Sequence, residues 1–164
     1  TSGYAPLGAV IVTDKIAEFF EDKYLYAGLT YNGHALSCAA ALATIDVYSE
    51  DNLLENARTM GNYLGECLED IKAKHPSVGD VRYIGLFSTI ELVANRETKE
   101  IMSPSVMAEV GKTLRANGLF TFIMANNMGS MVFVVPPLCI TKEQLDEGLA
   151  IVEKALEVAD EKLI

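Results

Sequence analysis

Apolar positions along this chain run first without a break, then with a helical period, and then in short alternating stretches. Gly8 to Thr13 is a nearly continuous apolar run (Ala9, Val10, Ile11, Val12) between Gly8 and Asp14, which predicts a strand buried on both faces. A short helix over Asp14 to Phe20 is expected next. From Asp22 to Gly33 no period survives, and Tyr24, Tyr26, Gly28, Thr30, Tyr31, Asn32 and Gly33 predict a loop ruled by turn chemistry. Ala35 to Tyr48 reads as a helix with almost no polar face, through Cys38, Ala39, Ala40, Ala41, Leu42, Ala43, Ile45 and Val47. A helix that is apolar all round must be covered on all sides.

The next segment, Asn52 to Lys74, is amphipathic: Leu53, Ala57, Met60, Leu64, Cys67, Leu68 and Ile71 recur at helical spacing with charges between them. His75-Pro76 ends it, because the residue before a proline disfavours the helical region. Val78 to Ile84 and Leu86 to Val93 predict two strands around Gly85. Ser103-Pro104 reads as a cap and first helical position, with Met107, Val110 and Leu114 as the buried stripe and Asn117-Gly118 as the stop. Leu119 to Ile123 and Met131 to Val135 predict two more strands, with Asn126, Asn127 and Gly129 between them and Pro136-Pro137 closing the second. Thr141 with Gln144 forms a capping box before a last helix, where Leu145, Leu149, Val152, Leu156 and Leu163 share a face. From Val78 onward the order is strand, strand, helix, strand, strand, helix, which predicts an α+β module with a small helix-covered sheet.

Length and charge narrow the classes. At 164 residues a compact chain buries about 70% of its unfolded surface, so disorder is not expected. Twenty-three acidic residues against 13 basic give a net charge of −10. With no run of Lys or Arg, neither nucleic acid nor an anionic membrane is an expected partner. No apolar run reaches the roughly 18 residues of a membrane span. Three cysteines, Cys38, Cys67 and Cys139, suit reduced thiols of a cytoplasmic protein better than a disulfide framework. His34 and His75 lie far apart and away from any cysteine pair, so no metal site is expected.

The residues themselves offer one candidate site. In Gly28-Leu29-Thr30-Tyr31-Asn32-Gly33-His34, glycines permit close approach to a ligand, a threonine hydroxyl can donate to a phosphate oxygen, and a helix start follows. The same features describe an ordinary turn before a helix. His34 is a candidate base and equally a helix-start residue. Thr1 to Gly8 is either a site-lining loop or a structural turn, and it opens without methionine, as if cut within a motif. Acidic groups such as Glu69 with Asp70, and Glu143 with Asp146 and Glu147, fall on solvated helix faces. No Ser-His-Asp order, GxSxG elbow or P-loop is present.

Several stretches together resemble one family, the class III pyridoxal-phosphate aminotransferases of fold type I. Thr1-Ser2-Gly3-Tyr4-Ala5-Pro6-Leu7-Gly8-Ala9-Val10 is similar to the segment directly after that family's Schiff-base lysine. Thr30-Tyr31-Asn32-Gly33-His34, then Ser37 to Ala43, resembles its Thr-Tyr-x-Gly-His-Pro loop and Ala-rich helix. Gly79-Asp80-Val81-Arg82, Gly85-Leu86 and Ile90-Glu91-Leu92 resemble its small-domain strands, and Pro136-Pro137-Leu138-Cys139-Ile140-Thr141 the run before its last helix. The match covers essentially the whole chain in order.

The resemblance implies an α/β to α+β chain: the C-terminal part of a fold type I transferase, ending in a small α+β domain with a mainly antiparallel sheet covered by helices. Residues 1–33 would end the large cofactor domain, 34–74 would be connecting helices, and 75–164 the small domain. It implies pyridoxal 5'-phosphate as cofactor, and transfer of an amino group from an ω-amino acid or amine to a keto acid such as pyruvate. It also implies a homodimer, in which Thr30 hydrogen-bonds the cofactor phosphate of the neighbouring subunit. The Schiff-base lysine would lie just before the position of Thr1, and none of the nine lysines here falls in its context. No catalytic residue is therefore assigned, and the chain alone is expected to be inactive. Two positions depart from the pattern: Ala35 follows His34 where the family usually has proline, and Ile123, Met124, Ala125 and Phe133 occupy the region where many members carry a carboxylate-binding arginine, the nearest upstream basic residue being Arg115. The alternative is a non-catalytic α+β interaction or effector-binding module from His75 onward.

Overall fold

The computed structural model describes residues 1–163 and divides the chain into two compact units, Thr1–Asn52 and Leu53–Ile164. The first unit opens with a turn in which Tyr4 N–H donates to Thr1 O at 3.1 Å, with Gly3 at φ +78°. Extended chain leads to α1 (Asp14–Phe19), a loop, and α2 (Ala35–Glu50). The strand expected at Gly8 to Thr13 is not formed. Val10 and Ile11 are 89% and 95% exposed, and among the described residues the segment pairs with no strand. An apolar run becomes a buried strand only where neighbours satisfy its backbone, and the other elements of residues 1–52 are helices and turns.

α2 runs where its composition predicts, but it is not covered. Leu36, Leu42, Ile45, Val47 and Tyr48 are exposed, and Ser37 is its one buried residue. Helix propensity and local hydrogen bonds therefore place the element, and no core in this unit absorbs its apolar surface.

The second unit has a core. Its elements are α3 (Leu53–Lys74), β1 (Val78–Ile84), β2 (Phe87–Asn95), β3 (Glu100–Ile101), α4 (Pro104–Ala116), β4 (Ile123–Asn126), β5 (Gly129–Val134) and α5 (Lys142–Asp160). The sheet order is β1-β2-β5-β4 with every pairing antiparallel, and the short β3 adds to the end of β2. A register shift between Val78 and Asp80 breaks the alternation of β1, so Val78 and Val81 both turn inward. Gly79 sits in that irregularity, where a Cβ would stand 2.7 Å from Val93 Cγ1. Gly85, at φ +54°, takes the first position of the two-residue turn into β2, where glycine relieves the steric cost of a left-handed conformation.

Ile90, Leu92 and Val132 from the sheet meet Leu64, Leu68 and Ile71 of α3, Met107, Val110 and Leu114 of α4, and Leu149, Val152 and Leu156 of α5. Each such side chain stabilises the fold by roughly 2 kcal/mol through removal of apolar surface from water. α4 starts at Ser103, whose hydroxyl accepts from Val106 N–H, with Pro104 at its first turn. α5 starts with the expected capping box: Thr141 Oγ1 accepts from Gln144 N–H and Gln144 Oε1 from Thr141 N–H.

Two expectations need correction here, and one element is added. Leu119–Phe122 is not strand; β4 begins at Ile123, and the preceding residues contribute one ladder-like bond, Phe133 N–H to Phe122 O at 3.0 Å. Leu163 lies beyond the end of α5 and packs against the core from there, not from the helix face. β3 had no sequence signal, because Glu100–Ile101 is too short to carry a period.

Candidate functional site

The loop before α2 is built by two turns in succession. Asn32 N–H donates to Leu29 O at 3.1 Å and His34 N–H to Tyr31 O at 3.2 Å, and Gly33 at φ +65° supplies the left-handed residue between them. Thr30 stands in the first of these turns and is exposed. Tyr31 and His34 bring their rings to 5.7 Å. His34 occupies the N-cap position of α2 without capping it by its side chain, while its carbonyl accepts Cys38 N–H at 3.0 Å. Thr30 thus presents a hydroxyl close in sequence to a helix start whose dipole favours negative charge, an arrangement fit to take one oxygen of a phosphate.

The second unit gathers titratable groups in three places. Asp80, Arg82 and Glu91 share the sheet face turned away from the core: Arg82 donates to Glu91 at 2.7 Å and to Asp80 at 3.1 Å, and Lys72 donates to Asp80 at 2.8 Å. The Lys72 hydrogen bond, against the cost of burial, holds the Asp80 carboxyl below its ordinary range. Asp80, Arg82 and Glu91 line a cleft of about 420 Å³ with Arg96 and Lys99. Arg96 is spent on carbonyls, donating to Val78 O, His75 O and Lys72 O. The charges of Lys72, Asp80, Arg82 and Glu91 satisfy one another and tie α3 to the sheet.

Tyr63, Lys142 and Asp146 form a second cluster. Tyr63 O–H donates to Asp146 at 2.6 Å, and Lys142 donates to Tyr63 at 2.8 Å and to Asp146 at 2.7 Å. The bond to Asp146 raises the Tyr63 phenol above its ordinary value, which keeps it protonated and unsuited to act as a base.

A serine, a histidine and an aspartate meet at the third place, a juxtaposition with no local sequence signal because Asp160 is remote in the chain. Asp160 accepts from His75 Nδ1 at 2.7 Å and from Ser77 N–H at 3.0 Å. Ser77 is fully buried and its hydroxyl has no hydrogen-bond partner among the described residues. No substrate reaches it, so the cluster fastens the end of α5 to the α3–β1 junction rather than doing chemistry.

An apolar cavity of about 240 Å³ lies between Leu119, Phe120, Pro136, Pro137 and the α5 residues Leu145 and Leu149, and no titratable side chain lines it. Ile123, Met124 and Ala125 lie on β4, with Met124 paired to Met131, while Arg115 is exposed in the last turn of α4. Lysines with perturbed titration point away from nucleophilic chemistry. Lys72, Lys74 and Lys142 are each raised above the ordinary lysine value by a hydrogen bond to Asp80, Glu153 and Asp146 respectively, whereas a Schiff-base lysine needs its neutral form within reach. Among the described residues no group of His, Cys, Asp and Glu is arranged to hold a metal ion, and no helix is long and apolar enough to cross a membrane.

The model of the class III aminotransferases matches residues 1–156. The chain belongs to the class III aminotransferases. An uncharacterized aminotransferase of Sinorhizobium fredii is 38% identical over 171 residues, covering 100% of this chain and 36% of that protein. The taurine–pyruvate aminotransferase of Bilophila wadsworthia is 36% identical over 170 residues, covering 98% of this chain and 37% of that protein. The solved taurine:2-oxoglutarate aminotransferase of Bifidobacterium kashiwanohense, in complex with pyridoxal phosphate and glutamate, superposes with a TM-score of 0.88 at 40% identity, over 99% of this chain and 37% of that one. The chain thus spans little more than a third of these relatives. Class III aminotransferases depend on pyridoxal phosphate, and the antiparallel sheet with its helices is the arrangement found in the corresponding part of the solved transaminases.

Proposed function

We propose that this chain is the C-terminal part of a pyridoxal-phosphate aminotransferase that moves an amino group from an ω-amino acid or amine to a keto acid such as pyruvate. The observation that carries the reading is the family match across residues 1–156, supported by relatives whose names specify taurine and pyruvate. In this reading residues 1–33 close the cofactor domain, 34–74 are connecting helices, of which α3 also packs into the core of the second unit, and 75–164 are the small domain. The protein is a cytoplasmic homodimer. The exposed apolar residues of α2, Leu36, Leu42 and Ile45 among them, suit a helix that is covered by other parts of such an assembly.

Bound pyridoxal phosphate supplies an electron sink and carries the amino group between donor and acceptor. Of this chain's residues, Thr30 would hold the cofactor by donating its hydroxyl to a phosphate oxygen in the neighbouring subunit, in a turn whose shape Gly33 maintains. The lysine that carries the cofactor belongs to a part of the protein before Thr1, and the chain by itself does not transaminate.

Borohydride reduction tests this. A longer protein that includes the residues before Thr1 should be trapped as a pyridoxyl adduct and should transfer amino groups to pyruvate, while this chain should give no adduct. Absence of both from the longer protein would sink the proposal. In that protein Thr30→Ala should weaken cofactor retention by a factor on the order of ten to a hundred, as expected for loss of a hydrogen bond to a charged group, and Thr30→Ser should restore most of it. The absorbance of retained cofactor reports this independently of turnover.

A further inference from the structure

Within the second unit, α3, α4 and α5 pack against the inward residues of the sheet, Ile90, Leu92 and Val132 among them. Where the other side of an antiparallel sheet meets water, its outward positions read polar. Here they do not. Ile84 and Phe87 are cross-strand partners beside the β1–β2 turn, Phe133 stands opposite Thr89, and Met124 opposite Met131. The Phe122 ring lies 5.2 Å from that of Phe133, which carries the patch to the edge of the sheet. Ile84, Phe87 and Phe122 are 80%, 58% and 65% exposed. α5 differs: it turns Glu143, Glu147, Lys154 and Glu157 to solvent. The charged end of the sheet face, Asp80, Arg82 and Glu91, is already internally paired.

We propose that this sheet face seats the polypeptide that precedes Thr1 in the complete protein, so that the sheet is buried there on both sides. The occupant is argued from length. The relatives from Sinorhizobium fredii and Bilophila wadsworthia match this chain over 36% and 37% of their own length, so the larger part of each has no counterpart in it. An apolar patch of this kind marks a contact surface, and the chemistry it asks of its occupant is apolar, because the neighbouring charges need no further partner. The inference rests on the reading of this chain as the C-terminal part of a longer protein, and it names the face which that longer protein covers.

Hydroxyl-radical footprinting read by tandem mass spectrometry tests it without any substitution, since aromatic rings and thioethers oxidise readily when water reaches them. The longer protein, including the residues before Thr1, is compared with this chain, and Tyr63 beside Lys142 and Asp146 on the helix side serves as internal reference. Relative to Tyr63, Phe87 and Phe122 should oxidise more slowly in the longer protein by a factor on the order of ten, as expected when an exposed ring passes into a close-packed interface. Equal rates in a longer protein that transaminates would overturn this inference and leave the catalytic reading standing. Slow rates in a longer protein that gives neither pyridoxyl adduct nor amino transfer would support it while the catalytic reading fails. Protection that disappears when the longer protein is diluted into separate subunits would give the face to a second copy and overturn the proposal.

Discussion

Gly61 and Gly65 lie about one turn apart on α3 and face different neighbours. A Cβ on Gly61 would stand 2.5 Å from Gly85 Cα and 2.9 Å from its carbonyl oxygen, both backbone atoms of a tight turn. A Cβ on Gly65 would meet the outer edge of the half-exposed Tyr83 ring, which can swing aside. Alanine gains about 1 kcal/mol of helix propensity at either position. Gly65→Ala should therefore be close to neutral in urea unfolding, and Gly61→Ala should destabilise by about 1–3 kcal/mol because overpacking against backbone cannot relax. Equal effects would mean that α3 and the β1–β2 turn are not in this close contact.

Asp160 carries a pH dependence of defined sign. Burial opposes its ionisation, but the hydrogen bonds from Ser77 and His75 prevail and hold its carboxyl below the ordinary value. A carboxyl depressed in the folded state stabilises fully above its unfolded pKa of about 3.9 and loses that contribution as the pH falls through the folded value. Asp160→Asn should cost about 1–3 kcal/mol at neutral pH and should flatten the fall in stability below about pH 4. An unchanged acid limb would remove Asp160 from that role.

Among the elements, those with both a period and punctuation were legible in the sequence. α4 and α5 carry Ser103-Pro104 and Thr141 with Gln144 at their starts, and both helices begin there. Thr141→Ala should destabilise the chain by about 0.5–2 kcal/mol, measured as a drop in urea midpoint, whereas removal of a mere surface hydroxyl would leave it unchanged. The β1–β2 hairpin was legible from Gly85 and the flanking alternation. The segment Gly8 to Thr13 was not, because a run without alternation states only that its side chains avoid water and says nothing of which strands pair with it. Leu119–Phe122 misled for a related reason: β-prone residues there lie beside β5 but make one backbone bond to it, through Phe122 O, and one side-chain bond, from the Thr121 hydroxyl to Phe133 O, before the ladder begins at Ile123.

At the scale of the whole chain, stability is distributed unevenly. Leu64, Leu68, Ile90, Leu92, Met107 and Leu156 are fully buried in the second unit, while α1 has no buried residue and α2 has one. Hydrogen exchange should therefore be slowest through α3, β2, α4 and α5 and complete early over residues 1–34. Protection of residues 1–34 equal to that of β2 would contradict this distribution.

The helices, the caps, the hairpin turn and the family motifs lie in the sequence, because each depends on residues close together in the chain. Thr30 was singled out there, within a loop that Gly33 shapes locally. The clasp of His75 and Ser77 by Asp160, the pairing of Lys72 with Asp80, and the register shift that turns Val78 and Val81 inward were decided by the tertiary structure. Hydrogen-bond partners and burial depend on which distant segments meet, and that is set by how the whole core packs rather than by any local pattern.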